Sequence, residues 1–154
     1  MEHTIRRKPN QAARKALVSF TAAIWILVFA EAVRAESLKI VLTNVHVSEG
    51  TIMLQVLRGE AEFNGEGEPI MSVLQRAETG EMSFTASALP KGEYAIRVMH
   101  DTNGNGKLDT NFVGIPSEPW AFSNNAVGNF GPPKWADVRF TLDGDITQSI
   151  TLNK

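Results

Sequence analysis

The stretch MSFTASALPKGEYAIRVMHDTNGNGKLD, Met82 to Asp109, decides how this chain folds. In its first part Met82, Phe84, Ala86 and Ala88 fall on one side, and Ser83, Thr85 and Ser87 on the other. In EYAIRVMH, Tyr94, Ile96, Val98 and His100 share a face in the same way. A period of two is the pleat spacing of a strand that buries one face. Between the two runs LPKG supplies Pro90 and Gly92, which are turn residues. Two strands joined by a tight turn are therefore predicted. The polar run that follows raises a second question, whether DTNGNGKLD holds a cation.

The same rhythm extends in both directions. SLKIVLTNV places Leu38, Ile40 and Leu42 together, and TIMLQVL places Ile52, Leu54 and Val56 together, with SEG between them as turn material, so a hairpin is expected. RGEAEFNGEGEP reads as a Gly- and Glu-rich connection, and IMSVLQRA as a less regular strand. Towards the end WADVRFTL aligns Ala136, Val138, Phe140 and Leu142, and ITQSITLN turns Ile146, Ile150 and Leu152 inward. No helical crossover interrupts these runs. The fold class expected is all-β, a seven-stranded antiparallel β-sandwich in a single domain over residues 36–154. Residues 101–134 depart from the pattern and predict one long ordered loop. Its aromatic residues, Phe112, Trp120, Phe122 and Phe130, read as pins that hold it to the sandwich or as faces for a ligand.

Residues 1–35 stand apart. Arg6, Arg7, Lys8, Arg14 and Lys15 precede the apolar run Ala16 to Ala30, and Val33-Arg34-Ala35 ends the segment with small residues. That order reads as a secretory signal peptide cleaved after Ala35, with an uncleaved anchor as the alternative. The chain has no Cys, so neither a disulfide framework nor a thiol for lipid attachment exists. Six of the 15 Lys and Arg and two of the 17 Asp and Glu lie in residues 1–35, which leaves 9 basic against 15 acidic groups, a net −6 with His neutral. An acidic exported domain is a poor partner for nucleic acid and a compatible one for cations. A periplasmic or secreted location follows, with no membrane span after cleavage.

Calcium takes six to eight oxygens, and Asp or Asn at every second place of a turn can aim several of them inward. Asp101, Asn103 and Asn105 stand at positions 1, 3 and 5, Gly106 at the sharp bend, Lys107 where a backbone carbonyl is offered, and Asp109 at position 9. This is the start of an EF-hand loop, but Phe112 stands where that loop needs a bidentate Glu, and strands rather than helices flank it. Glu118 is the nearest acidic residue able to replace it. Asn, Asp and Gly are equally what a metal-free tight turn selects, and both readings stand. His100, Trp120, Phe122 and Asn124 are the candidate ligand-binding residues. No G-x-S-x-G, H-E-x-x-H or Walker-type loop is present.

LPKGEYAIRVMHDTNGNGKLDTNFVGIPSEPWAFSNNA, followed by FGPPKWADVRFTL, closely resembles the bacterial exported-protein family called domain of unknown function 2141. The resemblance runs from about Leu38 to Leu152 and rests on His100, Asp101, Asn103, Asn105, Gly106, Asp109, Gly114, Pro116, Glu118, Phe122, Ser123 and Asn124. Trp120-Ala121 departs from it, since such proteins tend to carry a small residue there. The resemblance implies export and a prealbumin- or transthyretin-like sandwich, and implies no activity. The expected function is an exported, non-catalytic binding or structural module with a calcium-stabilised loop. Its partner is expected to be an extracytoplasmic protein, peptide or carbohydrate. The alternatives are a small hydrolase using His100 with Asp101 or Glu118, and a metal-free interaction domain that presents an edge strand.

Overall fold

The structure, a computed structural model, describes residues 35–153. The predicted signal peptide, residues 1–35, lies outside them except for Ala35. Among the described residues no helix is long and apolar enough to cross a membrane.

Most of the predicted strands form, and the strands build two sheets. β1 (Glu36–Val45), β4 (Gly80–Leu89) and β8 (Ile146–Thr151) make the three-stranded sheet in the order β4-β1-β8. β2 (Thr51–Arg58), β3 (Met71–Arg76), β5 (Gly92–Asp101) and β6 (Trp120–Phe122) make the other in the order β3-β2-β5-β6. β7 (Phe140–Leu142) joins that second sheet by pairing with the first residues of β5, Gly92 to Tyr94. The inward residues of both sheets merge into one core, with Leu38, Ile40, Leu42, Ile52, Leu54 and Ile96 at 0% exposure. All six positions follow from the period-two alternation alone.

Several expectations need correction in detail. Among the described residues there are eight strands rather than seven, because the long loop contributes β6, and β1 and β8 run parallel. β1 and β2 are not a hairpin; they belong to different sheets. Each has an uninterrupted apolar face, and placing them in opposite sheets lets the two faces cover one another, which a flat hairpin cannot do. Ala88 is exposed at φ 60°, and Leu89 turns in instead, so β4 ends in an irregularity against β1.

WADVRFTL is not one strand either. Trp135–Val138 is a single helical turn, α2, which exposes Ala136 and buries Val138 before β7 begins. The reason is hydrogen-bond accounting. Ser123 Oγ donates to the Val138 carbonyl, and the Asn124 amide donates to the carbonyls of Asp137 at 3.1 Å and Arg139 at 3.0 Å. Those carbonyls are satisfied by side chains, so no strand neighbour is required. A second helical turn, α1 (Glu60–Phe63), lies inside the Gly- and Glu-rich connection. α1 packs on β2 and α2 on β5, where Leu57 and Ala95 are fully buried although the alternation turns them away from the core.

Ser123 carries more of this arrangement than its size suggests. It is fully buried, accepts the Ile96 N–H at 3.0 Å and passes its own proton to Val138. Ser123→Ala leaves a buried donor and a buried acceptor unpaired, and should cost about 1–3 kcal/mol. Urea denaturation reads this as a lower midpoint at unchanged slope; an unchanged midpoint would contradict the assignment.

Candidate functional site

β5 delivers Asp101 to the mouth of the polar turn, and the turn is organised around its carboxylate. Oδ1 accepts the backbone N–H of Gly104 at 2.8 Å and of Asn105 at 3.1 Å, and Oδ2 accepts that of Gly106 at 2.8 Å. The pattern repeats two residues later: Asn103 Oδ1 accepts the Asn105 N–H at 3.0 Å, and Asn105 Oδ1 accepts the Lys107 N–H at 2.8 Å. Wrapping backbone donors round side-chain oxygens this tightly needs left-handed residues. Gly104 and Gly106, at φ 76° and 74°, supply them without steric cost.

The far side of the turn closes on two more carboxylates. Asp109 accepts the side-chain amides of Asn103 at 2.6 Å and Asn105 at 2.9 Å. Glu118, buried, accepts the Thr102 N–H and hydroxyl through Oε1, both at 2.8 Å, and the Asp109 N–H through Oε2 at 3.1 Å. Glu118 thus staples the beginning of the turn to its end. Phe112, at the position where an EF-hand carries its Glu, is 100% exposed on the tip beyond, so Glu118 is the carboxylate that reaches back. That tip is held by the Asn111 side chain, which accepts the N–H groups of Val113 and Ile115 at 3.0 Å each.

Three carboxylates, Asp101, Asp109 and Glu118, therefore lie in one hydrogen-bonded network. Neither of the two salt bridges among the described residues, Lys91 with Glu36 and Arg139 with Glu93, reaches them. The Asp101 carboxyl is held below its ordinary value chiefly by the Gly106 N–H; burial opposes this, and the N–H groups of Gly104, Asn105 and Asn103 reinforce it. The donor set fits a hard cation in chemistry: carboxylates, amide oxygens and the Lys107 carbonyl, with an oxygen that accepts one N–H retaining a second lone pair. Among the described residues no three His, Cys, Asp or Glu side chains form a ligand cluster. Two of the oxygens concerned belong to Asn, and Asn103 and Asn105 both bond to Asp109.

Beside the turn, on the outer face of the five-stranded sheet, lies a groove of about 340 Å³. Met53 and Met99 are register partners on its floor, Trp120 pairs with Met99 from β6, and Leu74, Phe122 and Leu108 complete its apolar walls. Leu108 comes from the polar turn itself, so the conformation of the turn sets one end of the groove. Gln55 and Arg97, also register partners, add a polar strip in which Arg97 Nε donates to Gln55 Oε1. Trp120 and Phe122 meet edge to face at 5.7 Å, and Phe122 continues to Phe63 at 6.1 Å and from there to Trp135 at 5.9 Å. The two aromatics thus both pin the segment and line the groove.

The remaining predicted ligand residues lie elsewhere. His100 is at 0% exposure on the inward face, with Nε2–H donating to the Glu49 carbonyl at 2.7 Å and Nδ1 buried without a partner. Its place in the alternation is what seals it in. No hydrogen bond joins it to Asp101 or Glu118, whose oxygens are engaged by the turn. The Asn124 amide is a clamp on α2, as described above, not a group offered to a ligand. Sequence reading missed Met53, Gln55, Leu74, Arg97, Met99 and Leu108. The available signal was the outward row of β2 and β5, where Met, Gln and Arg stand in place of the small polar residues found on β4.

The depressed Asp101 value has a consequence for acid stability. A carboxyl with a folded-state pKa below its unfolded value stabilises the fold above the unfolded value of about 3.8, and that contribution is lost as pH falls through the lower folded value. Asp101→Asn should therefore lower the melting temperature at neutral pH and flatten its fall on acidification. A variant as acid-sensitive as the parent would contradict the role given to Asp101.

No curated protein and no solved structure gives a significant match to the chain. The family model described as an uncharacterised protein conserved in bacteria (DUF2141) matches residues 40–150, a span that contains the turn, the groove and nearly all of both sheets, and the chain belongs to that family.

Proposed function

We propose that this chain is an exported, non-catalytic binding module in which a calcium ion bound at the Asp101–Glu118 turn braces one end of an apolar groove. The observation that carries this reading is the set of three carboxylates woven into one network without a cationic side chain. When bound, the ion supplies the positive charge that the network lacks. Asp101, Asn103, Asn105, Asp109 and Glu118 would hold it with side-chain oxygens and Lys107 with its carbonyl. Only Asp101 and Asp109 lie within the nine-residue turn, so affinity should fall near 10⁻⁴ to 10⁻³ M, the range suited to calcium outside cells.

The binding surface in this reading is the groove. Its walls are thioether, indole and phenyl groups with little beyond Gln55, Ser72 and Arg97 to bond hydroxyls, which favours an apolar protein or peptide segment over a sugar. The burial of His100, with no hydrogen bond to a carboxylate, supports the non-catalytic reading. Export rests on the basic, apolar and small-residue order of residues 1–35.

The experiment is a melting curve in excess chelator, followed by a calcium titration. Ligand binding adds about 2.7 kcal/mol at a hundredfold excess over Kd, which moves the midpoint by several degrees for a domain of this size. A saturable rise that Asp109→Asn weakens and that magnesium does not reproduce is expected. A flat response up to about 10 mM calcium, beyond the weak extracellular range, would reduce the turn to a metal-free structural element.

A further inference from the structure

One wall of the groove is β3, and β3 is the edge of its sheet. β3 pairs with β2 from Met71↔Val56 to Arg76↔Thr51, and among the described residues no strand lies beyond it. Other edges are met by local groups. On β8 the Asn125 side chain accepts the Thr151 N–H at 2.8 Å and donates to the Ser149 carbonyl at 3.3 Å. On β6 Trp120 exchanges backbone bonds of 3.1 and 2.8 Å with Asn153. Among the described residues the edge of β4 is also open, but its outward row, Ser83, Thr85 and Ser87, is polar. β3 instead carries Leu74, 69% exposed, on the rim of the groove, and contains neither Pro nor Lys to discourage pairing.

Charge narrows what such an edge accepts. Exposed Glu66 and Glu68 precede β3, exposed Glu78 and Glu81 follow it, and Arg76 is the one basic residue between them. A second copy docking edge to edge would bring carboxylates against carboxylates. An extended chain with basic ends and apolar alternate residues would not.

We propose that β3 accepts a short extended peptide as an added strand, with apolar side chains packing against Leu74 on the rim of the groove and Lys or Arg at its ends facing Glu66, Glu68 and Glu78. This rests on the groove being the binding surface. A strand added to a sheet lies about 4.8 Å from its neighbour and sends every second side chain to the same face, which carries the row Leu74, Met53 and Met99 outward by one more position. Six residues of β3 match a peptide of about six residues, roughly 20 Å long. The main chain contributes affinity, and Leu74 on the groove rim and the flanking Glu residues contribute selection.

The test is fluorescence anisotropy of a labelled peptide, Lys-Lys-Leu-Ser-Leu-Ser-Leu-Lys-Lys, titrated with the purified protein with and without calcium. Saturable binding is expected, weakened at least tenfold by Leu74→Asp, by N-methylation of alternate peptide amides, and by Glu in place of the terminal Lys residues. Leu74 is two-thirds exposed, so its variant should fold, and its calcium melting response should be unchanged. Equal binding of the N-methylated peptide, equal binding of a peptide with Ser in place of Leu, or no binding at millimolar concentration would each overturn the proposal. So would self-association, seen in sedimentation, that Leu74→Asp abolishes. Peptide binding in a protein whose melt ignores calcium would sustain this inference while removing the metal from the reading above.

Discussion

The constraint on which the rest of this structure depends is the burial of one face of β5. β5 is the hub of its sheet, bonded to β2 along its length on one side and to β6 and β7 on the other. Tyr94, Ile96, Val98 and His100 must point into the core, so Ala95, Arg97, Met99 and Asp101 must point out. A shift of one residue would exchange those two sets and place a carboxylate and a guanidinium in the interior. The site follows from this without further choice: Arg97 and Met99 become groove floor, and Asp101 becomes the centre of the turn. The Tyr94 hydroxyl, which donates to the Pro90 carbonyl at 2.6 Å, ties the opposite end of the strand to the turn that precedes it.

The polar turn shows how a segment without a ladder satisfies its backbone. Nearly every donor from Thr102 to Lys107 is taken by a side-chain oxygen, and Glu118 alone accepts three bonds. Such a turn is rigid through hydrogen bonds rather than apolar contact. Its stability is therefore tied to the ionisation of Asp101, and acid weakens it. The groove is connected to this electrostatics through Leu108, which leaves the turn to form part of the apolar wall.

Much of the fold was legible because alternation is a local property. The inward rows of β1, β2, β4 and β5 could be written down from the residues, as could the turn at Pro90 and Gly92 and the Asx spacing after His100. What misled was the part of the chain where backbone groups bond to side chains. WADVRFTL keeps a period of two through Ala136 and Val138, yet Ser123 and Asn124, more than ten residues away, take its carbonyls and wind it into a turn. The expected β1–β2 hairpin failed for a related reason: adjacency in sequence cannot tell whether two apolar faces lie in one sheet or oppose each other across a core.

The sequence by itself determined that the chain is all-β, which residues face the core, that residues 36–154 are acidic and free of Cys, and that an oxygen-rich turn follows His100. Each of these depends on residue type and short spacing, which survive without knowledge of neighbours. Only the tertiary structure decided that His100 is sealed inside, that Glu118 joins the two ends of the polar turn, and that Met53, Leu74, Met99 and Trp120 from four strands share one groove. Those are statements about strand order and register. They arise when two half-buried sheets choose the pairing that hides both apolar faces, and that choice is made by the whole core at once.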